Sequence, residues 1–142
     1  MRTAHDILES KGHAVWSVSP TDTVLHALGV MAEHDVGSVL VLDGDKLAGI
    51  LTERDYARKV VLAGRSSKDS QVKDIMTPQV VCVAPERSID ECMALMTDKR
   101  LRHLPVLEHQ HVIGVVSIGD LVKARIADQE FTIAELQSYI RG

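Results

Sequence analysis

Two seven-residue stretches of this 142-residue chain carry matching chemistry. They are Gly49-Ile50-Leu51-Thr52-Glu53-Arg54-Asp55 and Gly114-Val115-Val116-Ser117-Ile118-Gly119-Asp120. Each runs glycine, two apolar residues, a hydroxyl residue, two variable residues and an aspartate. A hydroxyl followed three residues later by an acid is close to a capping box, which needs no ligand. The same pair at a helix N-terminus can also do recognition chemistry. Its carboxylate can accept from two adjacent ribose hydroxyls, while free N–H groups and the helix dipole favour a phosphate. Recurrence in both stretches weighs toward the second use.

Other reactive residues are sparser. His109 and His111 flank one residue in an expected turn, with Glu108 beside them, a pattern that suits an exposed loop better than a metal site. Ser117, Asp120 and His103 contain the ingredients of a nucleophilic triad. However, Ser and Asp three apart on one capping turn leave no base in line, and no Gly-x-Ser-x-Gly elbow is present. Cys82 and Cys92, the only cysteines, show no CxxC spacing and read as reduced packing residues. The residues therefore point to binding rather than catalysis.

The elements that would hold these turns come from an internal repeat. Displacing the chain by 65 residues lays Val15–Asp55 on Val80–Asp120 without a gap. Val15/Val80, Val18/Val83, Pro20/Pro85, Met31/Met96, Val41/Val106, Gly49/Gly114 and Asp55/Asp120 are identical. Each copy predicts a strand (Val15–Val18, Val80–Val83) and a helix (Thr23–His34, Ser88–Lys99). Apolar residues at Val24, Leu28, Met31 and at Ile89, Cys92 or Met93, Met96 have helical spacing. Two strands around a turn follow, Val39–Leu42 with Leu47–Leu51, then Leu104–Leu107 with Val112–Val116. A second helix begins at Glu53 or Gly119. Extra helices are expected at Thr3–Ser10, with a Thr3/Asp6 cap, and at Thr132–Ile140, with a Thr132/Glu135 capping box.

One copy of this size buries too little surface to fold alone, so the two should share a core. The expected architecture is α/β: two pseudo-symmetric βαββα repeats packed sheet to sheet, helices outside, with flanking N- and C-terminal helices. The expected boundaries are 1–66, a first repeat with the N-terminal helix; 67–128, a second repeat; and 129–142, an amphipathic helix with Ile133, Leu136 and Ile140 in one stripe. Arg65–Ser70 reads as the linker. Hydrophobic residues make up 45% and aromatic residues 3%, so the core must be aliphatic, which suits small α/β layers. Net charge is −4, which offers nucleic acid and anionic lipid no general attraction. The absence of an apolar leader or a membrane-length run gives the expectation of a cytoplasmic protein.

With these residues in place, the chain resembles a tandem pair of CBS domains (cystathionine β-synthase domains, together a Bateman module), from about Ile7 to Ile126. The resemblance implies a non-enzymatic sensor of energy or redox state. Such a sensor needs no cofactor and binds AMP, ADP, ATP, NAD(H) or S-adenosylmethionine in clefts between its repeats. By the same resemblance Asp55 and Asp120 would hold ribose hydroxyls, with Thr52 and Ser117 beside them. Val15, Trp16, Val36, Gly37, Ile50, Val80 and Val116 would line an adenine slot. Arg102 and His103, before Leu104-Pro105-Val106, resemble the family's basic pair that reaches phosphate. The first copy has Val36-Gly37-Ser38 there, so the cleft around Asp55 would be the better phosphate site, with Arg54 and Arg58 able to add to it. Asp55 should then matter for binding and little for folding. The resemblance also implies a homodimer, through helical faces such as Ala57, Val60, Val61, Val122 and Ala124, and an effector protein that reads the result. Two other readings stand beside it: a ligand-free interaction module whose turns merely cap, and a nucleotide-processing enzyme.

Overall fold

Hydroxyl residues that can cap, β-branched runs that can pair and a left-handed residue after each main helix recur in both halves of the chain. The computed structural model describes residues 2–141. They form two compact units, one of Ala14–Val81 with His109–Val112 and the other of the remaining residues. They are called here the first-copy and second-copy units.

In the first-copy unit the strands are β1 (Ser17–Val18), β2 (Ser38–Asp43) and β3 (Lys46–Thr52), in the order β1-β2-β3. β1 runs parallel to β2, with Val18 opposite Val41, and β2 pairs antiparallel with β3 through an irregularity at Val41/Leu42. Between β1 and β2 lies α2 (Val24–His34), whose N-cap Thr23 accepts from the N–H of His26. Val24, Ala27 and Met31 turn inward, with Leu28 half-buried, and meet Val39, Val41 and Leu51. Asp35, at φ 53°, ends the helix in the left-handed conformation, so the N–H of Val36 reaches Met31 O at 3.0 Å. β3 leads into α3 (Glu53–Tyr56), which continues as a π-helical turn, Ala57–Val61.

The second-copy unit repeats the plan with α5 (Ile89–Lys99), β4 (His103–Glu108), β5 (His111–Ser117) and α6 (Ile118–Arg141). Ser88 caps α5 in a complete capping box with Glu91. Arg100, at φ 56°, ends it as Asp35 ends α2, with Leu101 N–H on Met96 O at 2.9 Å.

The first strand of this copy is shorter than its sequence predicts. Val80–Val83 contributes only a parallel bridge, Val83 to Val106. In the first copy Leu40 N–H donates to Trp16 O at 3.0 Å. The equivalent of Leu40 is Pro105, which has no N–H to give, so the ladder cannot extend. The expected strand Val15–Val18 is likewise ordered as a strand only at Ser17–Val18.

Two short helices extend the duplication beyond the 65-residue register. These are α1 (Ala4–Lys11) and α4 (Val72–Ile75). Ala4 and His5 donate to Arg87 O and Pro85 O at 2.8 and 2.9 Å; Val72 and Lys73 donate to Asp22 O and Pro20 O, both at 2.9 Å. The match is Thr3–Leu8 on Gln71–Met76, an offset of 68 residues. Each helix therefore leads one repeat in the chain and packs on the other copy. The N-terminal helix, grouped by sequence with residues 1–66, sits in the second-copy unit, with the expected Thr3/Asp6 capping box in place. The expected linker Arg65–Ser70 is tied down as well, because Ser70 O and Ser67 O accept from Val24 and Leu25.

Two further expectations are corrected. The C-terminal stretch is no separate helix: α6 runs unbroken through Thr132, whose hydroxyl donates back to Asp128 O instead of capping. Val60 and Ala124 face inward at 1% and 7% exposure, whereas Val61 and Val122 are exposed. Trp16, expected to line a slot, is 39% exposed and stacks on His34, ring centroids 3.6 Å apart.

Candidate ligand-binding turns

Both Ser/Thr-x-x-Asp turns sit where a strand ends and a helix begins, β3 to α3 and β5 to α6. In the first copy Thr52 Oγ1 accepts from Asp55 N–H at 3.0 Å, and Asp55 Oδ2 accepts from Thr52 N–H at 3.0 Å and from its hydroxyl at 3.1 Å. Asp55 Oδ1 accepts from Thr77 Oγ1 at 3.4 Å and pairs with Lys59 Nζ at 3.2 Å. Asp55 is 9% exposed, with both oxygens engaged. The expectation that it matters little for folding is therefore corrected. Its carboxylate closes a capping box, and a buried acceptor that loses its donors costs about 1–3 kcal/mol.

The second copy builds the same box. Ser117 Oγ accepts from Asp120 N–H at 3.1 Å, and Asp120 Oδ2 accepts from Ser117 N–H at 2.8 Å. The cation differs: Lys11 Nζ, from the end of α1, lies 2.8 Å from Asp120 Oδ2 and 2.8 Å from Val115 O. Burial pushes the Asp120 carboxyl up, but the Lys11 hydrogen bond, the Ser117 N–H and the Lys11 charge outweigh it. The group ends below its ordinary value. His103 is held below its ordinary value, first by burial and then by the positive charge of Lys11, against the pull of Asp120.

The remaining predicted residues divide by unit. Val15, Val36, Ile50 and Val80 are half-buried in the first-copy unit, and Gly37, Arg54 and Arg58 are exposed there. Gly37 O accepts from Glu53 N–H at 3.0 Å, and Arg102 O accepts from Ile118 N–H at 2.9 Å. Residues 37 and 102 thus hold equivalent places beside the two helix starts. Val116 is fully buried in the second-copy core and presents no surface to a base.

Sequence reasoning missed Lys59, Thr77 and Lys11. Lys59, four residues after Asp55, was readable as a helical ion pair. Thr77 and Lys11 depend on where the leading helices pack, which neither the Thr3/Asp6 cap nor the 65-residue repeat reveals. Cys92 is buried and Cys82 half-buried, and burial pushes both thiols up, which suits packing. Among the described residues no three His, Cys, Asp or Glu side chains gather as a metal site. No helix there is long and apolar enough to cross a membrane. An open groove of about 520 Å³ in the second-copy unit is lined by Arg2, Ile89, Asp90, Arg125, Asp128 and Ile133, and none of the predicted site residues borders it.

Comparison with known proteins agrees with this duplicated plan. A family model for the CBS domain matches twice, over residues 3–62 and 72–127, so that each match begins at a leading helix. The mitochondrial CBS domain-containing protein CBSX3 of Arabidopsis thaliana is 42% identical over 149 residues, covering 99% of this chain and 72% of that protein. A solved structure of a protein with CBS domains from Burkholderia ambifaria MC40-6 superposes with a TM-score of 0.86 at 55% identity, covering 89% of this chain and 96% of that one. The hexameric CBS-CP12 protein from bloom-forming cyanobacteria superposes with a TM-score of 0.75 at 27% identity, covering 86% and 70%. With two CBS repeats matched along most of its length, the chain belongs to the CBS-domain family of signal-transduction and regulatory proteins.

Proposed function

We propose that this CBS pair is a regulatory module that binds an adenosine nucleotide, AMP, ADP, ATP or NAD, and signals its level to a partner protein without catalysing a reaction. One observation carries the reading. The same turn, a hydroxyl N-cap and an N3 carboxylate at a strand-to-helix junction, is built twice. A carboxylate so placed suits the two hydroxyls of a ribose, and the adjoining helix start suits phosphate. The residues involved would be Thr52 and Asp55 in one unit, Ser117 and Asp120 in the other, with Arg102 and His103 as phosphate contacts. A homodimer in the cytoplasm completes the proposal. Ile133, Leu136 and Ile140 on α6 are 55%, 58% and 82% exposed, a stripe suited to a second copy.

A second reading has its own support. Both Asp55 oxygens are satisfied internally, as an interaction module with purely structural caps would have them. A melting-temperature panel separates the two. A ligand at a hundredfold its Kd adds about 2.7 kcal/mol, a shift on the order of 5–10 °C for a chain of this size. AMP, ADP, ATP, NAD and S-adenosylmethionine are compared with guanosine nucleotides. A shift with an adenosine compound alone supports the sensor; none at millimolar concentration leaves the structural module.

A further inference from the structure

The two copies satisfy one pair of acceptors with different chemistry. In the first-copy unit these are Ile50 O and the Asp55 carboxylate, both met by Thr77: its N–H donates to Ile50 O at 2.9 Å and its hydroxyl to Asp55 Oδ1 at 3.4 Å. The equivalents 65 residues on are Val115 O and Asp120, both met by the Lys11 ammonium at 2.8 Å. Lys11 can do this because α1 has eight residues where α4 has four, and it is the last of them. The first copy thus meets its carbonyl with a neutral amide and its carboxylate with a hydroxyl and Lys59, 3.2 Å away on the same helix, whereas in the second copy one ammonium from the leading helix meets both acceptors.

That charge has company. At the positions of Arg102, His103 and Ile118 the first copy has Gly37, Ser38 and Glu53. The Glu53 carboxylate stands 3.7 Å from where a Cβ on Gly37 would lie, so an acid borders the place Arg102 fills in the other unit. The first copy's own Arg54 and Arg58 are exposed. In the second-copy unit, Lys11, Arg102 and Asp120 all act on the His103 ring, so the four groups share one neighbourhood. An ammonium has three N–H donors, and Lys11 spends two on the protein.

We propose that Lys11 is a ligand-binding residue that makes the Asp120 turn an anion subsite, one that takes a phosphate group where the Asp55 turn offers none from its leading helix. The inference deepens the nucleotide reading above and rests on it for the ligand's identity, but the phosphate chemistry can be tested separately.

The test titrates inorganic phosphate, AMP and adenosine into isotopically labelled protein and follows the His103 ring and the Gly119 amide. In the parent chain, phosphate and AMP should move both signals. Lys11→Met should weaken both ligands about tenfold, the scale of one charge-assisted hydrogen bond, and leave adenosine within about twofold. Lys11→Arg, which keeps the charge, should stay within about threefold of the parent. Circular dichroism establishes that each variant is folded. Unchanged or tighter phosphate and AMP binding in Lys11→Met would overturn the proposal, and so would equal losses for AMP and adenosine, the mark of a structural role. Lys11-dependent phosphate binding with no response to any adenosine compound would sink the nucleotide reading and leave the anion subsite standing. Adenosine compounds that bind equally to parent and Lys11→Met would do the reverse.

Discussion

Replacing Gly49 by alanine tests how the leading helix α4 is seated on the first-copy sheet. A Cβ there would lie 2.7 Å from Met76 Sδ, 3.1 Å from Met76 Cγ and 2.8 Å from Thr77 O. The methionine end can swing aside at little cost. Thr77 O cannot, because Thr77 and Ile50 exchange two hydrogen bonds, of 3.0 and 2.9 Å. Relief of the clash must therefore spread that pair. Overpacking costs about 1–3 kcal/mol and a weakened hydrogen bond about 0.5–1.5 kcal/mol, so roughly 2–3 kcal/mol is expected. For a chain of this size that lowers the melting temperature by about 5–10 °C. At the equivalent Gly114, the three atoms nearest a Cβ all belong to the Leu8 side chain, the closest at 2.5 Å, and none is backbone, so Gly114→Ala should cost less, about 1–2 kcal/mol. Thermal and urea melts by circular dichroism give the stabilities, and amide exchange at Ile50 and Thr77 localises the loosening. Gly49→Ala that melts within 1 °C of the parent, with those amides equally protected, would refute the seating of α4.

Two more outcomes can be checked. The Asp120 carboxyl is depressed in the folded chain, so its contribution is fully present above the ordinary carboxylate value of about 3.9 and is lost as pH falls through the lower folded value. Acid melts should show Asp120→Asn losing less stability than the parent over that range; identical slopes would mean that the Lys11 pair contributes nothing. Light scattering should report twice the 15.6 kDa chain mass, and Leu136→Glu should shift the species toward monomer. A monomer at all concentrations would rule out the proposed dimer.

Legibility of the fold in the sequence followed the range over which each signal acts. The caps of α2 and α5 and both β-hairpins are local, and Thr23, Ser88 and the β-branched runs announced them. The gapless offset carried the likeness between copies. The N-terminal helix was legible from its Thr3/Asp6 cap, but its likeness to α4 was not, because three residues more separate α4 from its counterpart and because each packs on the copy it does not precede. Pro105 was visible, but its effect falls on Val80–Val83, whose own composition still favours a strand. Thr132 has the spacing of a capping box, yet a helix already running through it leaves no free N–H to cap. At the site, the two turns were readable as turns. Of the cations that distinguish them, Lys59 was readable four residues after Asp55 but Lys11 was not, since it reaches Asp120 across 109 residues of chain.

Amide chemical-shift mapping with AMP tests the central claim most directly, because it reports where on the chain a nucleotide acts. The account predicts saturable shifts concentrated at Thr52–Asp55 or Ser117–Asp120, together with Arg102 and His103, and no comparable response to GMP. A spectrum unmoved by AMP at millimolar concentration, or shifts confined to the exposed end of α6, would contradict it.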